Sequence, residues 1–219
     1  MTNELRQRLK LALRGGQYAD EILAQLFGTT GTIFYVDSVN GNASWDGRSS
    51  NRATTTTALA LAKCTANKGD VIVWMPGHNE GIGNAQLTWN VAGVTFVSAG
   101  SGSLRARFDF DHANASIDIT ASNCTVRDIV LLPSVTAVVI GIDINADVTD
   151  TFIDGYEVLP GEDGAGVDEF VRAVDIKAGC RRTKIARPKH RQHASAAHSV
   201  ASISLTGASD DVYIYGTQE

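Results

Sequence analysis

The sequence predicts a mainly β chain folded as a right-handed parallel β-helix behind a short N-terminal helical leader. Three observations carry this. One phrase recurs four times: Ile117-Asp118-Ile119, Ile142-Asp143-Ile144, Val174-Asp175-Ile176 and Ile203-Ser204-Leu205, with starts 25, 32 and 29 residues apart. Periods of about 20–50 residues mark solenoids and propellers. Each repeat holds a second short run: Val126, Thr151, Thr183 or Val212 stands nine residues after the start, and Asp128, Ile153, Ile185 or Ile214 eleven after. The 21 Gly and 4 Pro, with many Thr, Val and Ile, suit short strands and tight turns. A coil cannot bury its apolar face alone, whereas stacked coils bury a continuous core. That core should contain Ile117, Ile119, Ile142, Ile144, Val174, Ile176, Ile203 and Leu205.

The elements follow in order. Leu5, Leu9, Ala12 and Leu13 recur at helical spacing until Gly15-Gly16 breaks the pattern, and Ile22, Leu23, Leu26 and Phe27 line a second short helix that Gly28 ends. The leader (1–31) either caps the first coil or docks the chain onto a larger assembly, with Leu5, Leu9, Ile22, Leu23, Leu26 and Phe27 as the contact set. The β-helix domain (32–219) opens with strand Ile33 to Asp37, a polar loop to Gly47, an Ala- and Leu-rich helix from Thr54 to Ala66, and strand Val71 to Met75. Early coil strands are Leu87 to Trp89 and Val94 to Val97. Phe108-Asp109-Phe110-Asp111 alternates, so its rings point in and its acids out. Length differences between repeats fall in loops at one corner, the longest being 159–168 and 181–198.

The opening carries a family resemblance. Tyr35 to Asn42, Asp46-Gly47, Gly69-Asp70-Val71-Ile72-Val73 and Pro76-Gly77 resemble the start of right-handed parallel β-helix proteins of pectate-lyase-like type, many of them encoded by bacteriophages. The leader with Gly15-Gly16 also looks like leaders of phage structural proteins. The resemblance implies a virion structural protein, such as a capsid decoration or cement protein, or a fibre, tail or spike component. The alternative it implies is a tailspike that binds or cleaves a host glycan.

Composition narrows the chemistry. At 219 residues and 43% hydrophobic the chain can build a sizeable core. A net charge of −5 argues against a nucleic-acid partner. Residues 1–27 are charged throughout, which does not fit a signal peptide, and no stretch reaches the ~18 apolar residues of a membrane span. The expected course is synthesis in a host cytoplasm, without membrane contact, and incorporation into a virion. Cys64, Cys124 and Cys180 are odd in number and lack metal-ligand spacing, so they read as small packed hydrophobes. No cofactor or metal is implied.

Four features could carry function. Asp118, Asp143 and Asp175, with Ser204 fourth, should form an outward ladder about 4.8 Å per step. Such a ladder either raises carboxyl pKa values or recruits a cation, or else its side chains simply splay into water. Glycan cleavage would draw on Asp109, Asp111, Asp128, Asp143 or Asp154, with Arg127-Asp128 the most suggestive pair. Yet no paired aspartates stand beside a Gly-His-Gly turn, and aromatics for stacking are only 7%, so a non-enzymatic chain is favoured. Arg181, Arg182, Lys184, Arg187, Lys189 and Arg191 form a basic run that could meet phosphate, lipopolysaccharide or the acidic stretch Glu162, Asp163, Asp168 and Glu169 of a second copy. His78, His112, His190, His193 and His198 read as loop histidines. The terminal strand Val212 to Tyr215 would leave a bare coil, whose simplest cover is a neighbouring subunit. Together these point to a homo-oligomer, most simply a trimer, that binds major capsid or tail proteins.

Overall fold

The computed structural model describes residues 29–161, 168–191 and 201–216. The leader contact set Leu5, Leu9, Ile22, Leu23, Leu26 and Phe27 lies outside the described residues.

Among the described residues the strands form three parallel sheets of seven, five and five strands, stacked as a β-solenoid. The seven-stranded sheet holds β1 (Ile33–Val36), β2 (Val71–Trp74), β5 (Thr95–Ser98), β8 (Thr125–Arg127), β11 (Phe152–Asp154), β14 (Lys184–Ala186) and β17 (Tyr213–Tyr215). The second holds β3 (Asn79–Ile82), β6 (Ala106–Phe110), β9 (Ile129–Pro133), β12 (Glu157–Val158) and β15 (Lys189–His190). The third holds β4 (Leu87–Trp89), β7 (Ile117–Ile119), β10 (Val138–Ile144), β13 (Phe170–Lys177) and β16 (Ala201–Thr206). From β2 to β16 each coil therefore contributes one strand to each sheet in turn, while β1 and β17 extend the first sheet alone.

The repeated phrase stacks in register. Ile117 pairs with Ile142, Ile142 with Val174 and Val174 with Ile203, and Leu87 extends the column one coil earlier. The alternation of each strand sends these side chains inward, and Ile117 through Ile176 of the predicted core are fully buried. Each such burial is worth roughly 1.5–3 kcal/mol. Ile203 is only partly buried and Leu205 is 50% exposed, because among the described residues no strand pairs beyond β16. The aromatic rungs lie earlier: Trp74, Trp89 and Phe96 stack at 4.4–6.2 Å, with Phe108 edge-on to Trp74.

Three sequence expectations need correction. The helix expected over Thr54 to Ala66 is only α1 (Thr57–Leu61), capped by Thr56 accepting from the Leu59 amide. It is held by tertiary contacts, since Ala60 and Leu61 pack into the main core. The segment 181–198, expected as a loop, contains β14 and β15. The second column is also shifted: Val126 pairs with Ile153, then Ile185 and Ile214, and Asp128 falls after its strand. Counted along the register, Ile119 to Val126 is two residues shorter than Ile144 to Ile153, Ile176 to Ile185 or Leu205 to Ile214, so parity survives while the spacing count does not.

The turns repeat as faithfully as the strands. Asn123, Asp150, Arg182 and Asp211, two residues before successive strands of the first sheet, all have positive φ. So do Asp128, Gly155, Arg187 and Gly216, immediately after those strands. Left-handed backbone turns the chain in one residue, and Asp, Asn and Gly tolerate it best.

Candidate functional site

Because the interior columns are apolar, the charged chemistry lies on the outside of the coils, and partners commonly come from successive coils. Arg182 Nε and Nη2 donate to Asp150 Oδ1 and Oδ2, both at 2.6 Å. Arg181 approaches Asp210 at 3.7 Å. On the third sheet, Lys177 Nζ lies 2.7 Å from Asp175 and 3.5 Å from Asp143, Arg172 donates to Asp175 at 3.1 Å, and the Thr206 hydroxyl donates to it at 2.6 Å.

This is the predicted aspartate ladder. Asp118, Asp143 and Asp175 pair in register, but they do not simply splay into water. Asp175 is fully buried and Asp143 largely so. Lys177 supplies the countercharge from within the chain, and Ser116 donates to Asp118 at 2.5 Å. Burial pushes the Asp143 carboxyl above its ordinary pKa; Lys177 opposes this, and Asp118 and Asp175 add to it. Burial also pushes upward on Asp175, but hydrogen bonds from Lys177, Thr206 and Ser204 outweigh it and hold that carboxyl below the ordinary value.

The most concentrated charge lies in a cleft of about 630 Å³ along the second sheet and its preceding turn. The outward column there runs Asn79, Arg107, Val130, Glu157, Lys189. Glu157, with a side chain only 5% exposed, meets Arg105 Nη2, Lys189 Nζ at 3.3 Å and Arg191 Nε at 2.6 Å. Arg105 comes from two coils before Glu157, and Lys189 and Arg191 from the coil after. Burial raises the Glu157 pKa, but hydrogen bonding and charge from Arg105, then Lys189 and Arg191, carry it below the ordinary value. Beside it, Arg187 pairs with Asp154 at 2.7 Å and Asp128 at 3.6 Å. Burial raises the Asp128 carboxyl, with Arg187 opposing and Asp154 reinforcing.

The candidate acids therefore separate. Asp128 and Asp154 meet at Arg187. Asp109 pairs with Arg107 at 2.8 Å and accepts from Asn79, Asp111 is exposed, and Asp143 belongs to another sheet. Arg127 of the suggestive pair is exposed at the end of β8. The basic run is distributed likewise: Arg181, Arg182, Arg187, Lys189 and Arg191 have carboxylate partners within the chain. Lys184 stands exposed on β14, between Phe152 and Tyr213 in its column. Of the acidic stretch proposed to meet them, Asp168 and Glu169 are buried, and Glu162 and Asp163 lie outside the described residues.

His78 stands in the turn between β2 and β3, as a loop histidine should, but it does not face solvent. It is buried, its Nδ1 accepts from the Ser38 amide at 3.1 Å, and its Nε2 faces Glu80 at 3.1 Å. His112 is exposed, His190 departs from the loop reading because it lies in β15, and His193 and His198 are outside the described residues. Sequence reasoning passed over Arg105, Arg107 and Glu157. The alternation Arg105-Ala106-Arg107-Phe108 was the available signal, since it sets two cations on the outer face of a strand. Among the described residues, no group of three or more His, Cys, Asp or Glu is arranged to hold a metal ion.

No protein family model, curated protein or solved structure matches this chain.

Proposed function

We propose that this protein is a non-enzymatic structural component of a bacteriophage virion, a decoration, fibre or spike protein whose β-solenoid serves as a rigid assembly surface. The supporting observation is the use made of its outer carboxylates. Asp143, Asp150, Asp154 and Glu157 are each joined to a cation of the following coil, which suits charges that hold a shape. A catalytic pair needs carboxylates free to face a substrate. The phage assignment rests on the resemblance of Tyr35 to Asn42, Gly69 to Val73 and Pro76-Gly77 to phage β-helix openings. In this reading the protein is a homo-oligomer, a trimer by three-fold bundling, attached to capsid or tail proteins through residues 1–27.

The test is to purify particles from the source phage lysate and identify this chain by mass spectrometry, with copies per particle counted. Deleting residues 1–27 should release it from particles while the β-sheet circular dichroism persists. Absence from purified particles, or sedimentation of full-length protein as a monomer, overturns the reading. The tailspike reading has one observation in its favour, the charged cleft around Glu157. Release of reducing ends or unsaturated sugars from capsule, lipopolysaccharide or polygalacturonate, abolished by Asp128→Ala, would establish it instead.

A further inference from the structure

Glu157 is overcommitted. Arg105, Lys189 and Arg191 converge on this single carboxylate from coils on either side. These three side chains carry about thirteen N–H donors, against roughly four acceptor sites on one carboxylate. Arg105 spends one donor on the Gly102 carbonyl at 3.1 Å. The other cations of the cleft are matched differently: Arg107 has Asp109, and Arg187 has Asp154 and Asp128. The surplus positive charge is thus localised at Glu157, inside a protein of net charge −5. It lies in a concavity of about 630 Å³ floored by Val130, whose side chain faces outward yet is only 5% exposed. Clefts of about 300–1,000 Å³ suit small ligands. Arginine carries five N–H donors and lysine three, so a cation that holds one oxyanion keeps donors for a second.

We propose that the cleft over Glu157 is a binding site for a small oxyanion, a carboxylate or a phosphate ester carried by a ligand of about one sugar residue. Arg105, Lys189 and Arg191 are its donors. Glu157 acts as a positioning residue: it fans the three cations apart and lowers their affinity for anions to a reversible level. The assembly argument shares only the Glu157–Lys189 pair with this site and stands equally on Asp143, Asp150 and Asp154, so failure of the site leaves that argument in place.

The test is isothermal titration of the full chain at low ionic strength with inorganic phosphate, D-glucuronate and D-glucose. Phosphate, glucuronate or both should bind, and glucose should not; which anion binds tells a phosphate ester from a sugar carboxylate. Arg191 is largely exposed, so Arg191→Gln should fold and weaken binding roughly tenfold, the worth of one charge-assisted hydrogen bond. Glu157→Gln removes the competing anion and should strengthen binding roughly tenfold, given the strength of like-charge repulsion at close range. Lys68→Ala, exposed and outside the cleft, should change nothing. A purely structural cluster predicts instead that Arg191→Gln leaves anion binding unmoved. That result, an absence of heat with both anions, or glucose binding as tightly, would overturn the proposal.

Discussion

Arg187 and Asp128 occupy the same left-handed turn position two coils apart, and their side chains meet at 3.6 Å across the intervening Gly155. A Cβ on Gly155 would lie 2.7 Å from Asp128 Oδ1 and 3.0 Å from Arg187 Nη2, at a φ of +79°. The glycine thus serves the backbone and the ion pair together. The side chains of its neighbours in the column, Asp128 and Arg187, both lie against this glycine.

Gly155→Ala should therefore destabilise the fold by roughly 1–3 kcal/mol through backbone strain and the displaced ion pair. Urea denaturation followed by tryptophan fluorescence measures this. A variant as stable as wild type would mean that the turn relaxes freely.

Removing Lys177 should cost far more than removing an exposed cation. Lys177→Met leaves Asp175 buried with less countercharge and Asp143 with none nearby, a loss of roughly 3–5 kcal/mol. Arg182→Ala breaks a pair exposed on both sides and should leave the unfolding midpoint close to that of wild type. Equal midpoints for the two variants would contradict the difference in burial.

The aspartate ladder should titrate in opposite directions. Asp175 should lose its proton below the ordinary carboxylate range and Asp143 above it. A carboxyl depressed in the folded state adds stability above its unfolded pKa and loses it as pH falls through the folded value; a raised one does the reverse. Asp175 therefore favours the fold at neutral pH and ceases to do so in acid, while Asp143 penalises it above about pH 4. Carboxyl NMR titration should show both resonances moving to higher pKa in Lys177→Met.

Native thiols should be nearly inert. Burial pushes Cys64 up to about 12 and Cys124 up to about 11, and raises Cys180. The thiolate is the reactive form, so a disulfide reagent at neutral pH should modify the native chain slowly and the unfolded chain at once. Stability should also fall as pH rises above the unfolded thiol value, since unfolding then releases protons.

A buried polar chain near α1 offers a sharper test of packing. Trp74 Nε1 donates to Thr57 Oγ1 at 2.8 Å, and the Thr57 hydroxyl donates to Glu80 at 2.5 Å. Since Nδ1 of His78 accepts from Ser38, its proton belongs on Nε2, facing Glu80. Thr57→Val strands the indole N–H and should cost roughly 1–3 kcal/mol. Nitrogen NMR should find the His78 proton on Nε2; a proton on Nδ1 would break the chain of bonds.

The solenoid is written in the repeated phrase. Each Ile-Asp-Ile phrase encodes a strand with an apolar inner face, and repetition at coil length leaves stacking as the way to bury it, so the Ile117 column and the Asp118 ladder were legible without coordinates. Phe108-Asp109-Phe110 was legible for the same reason, because alternation is local. Partnership was not. Arg105 lies 52 residues before Glu157 in the chain, and no local pattern links them. Nor does spacing disclose that Lys177 lies between two rungs of the ladder or that Val126 pairs with Ile153. Turn lengths set which side chains fall side by side on successive coils, and only the stacked structure adds those lengths together. The inside of this protein follows from the period of its strands, whereas its charged surface follows from the register between coils.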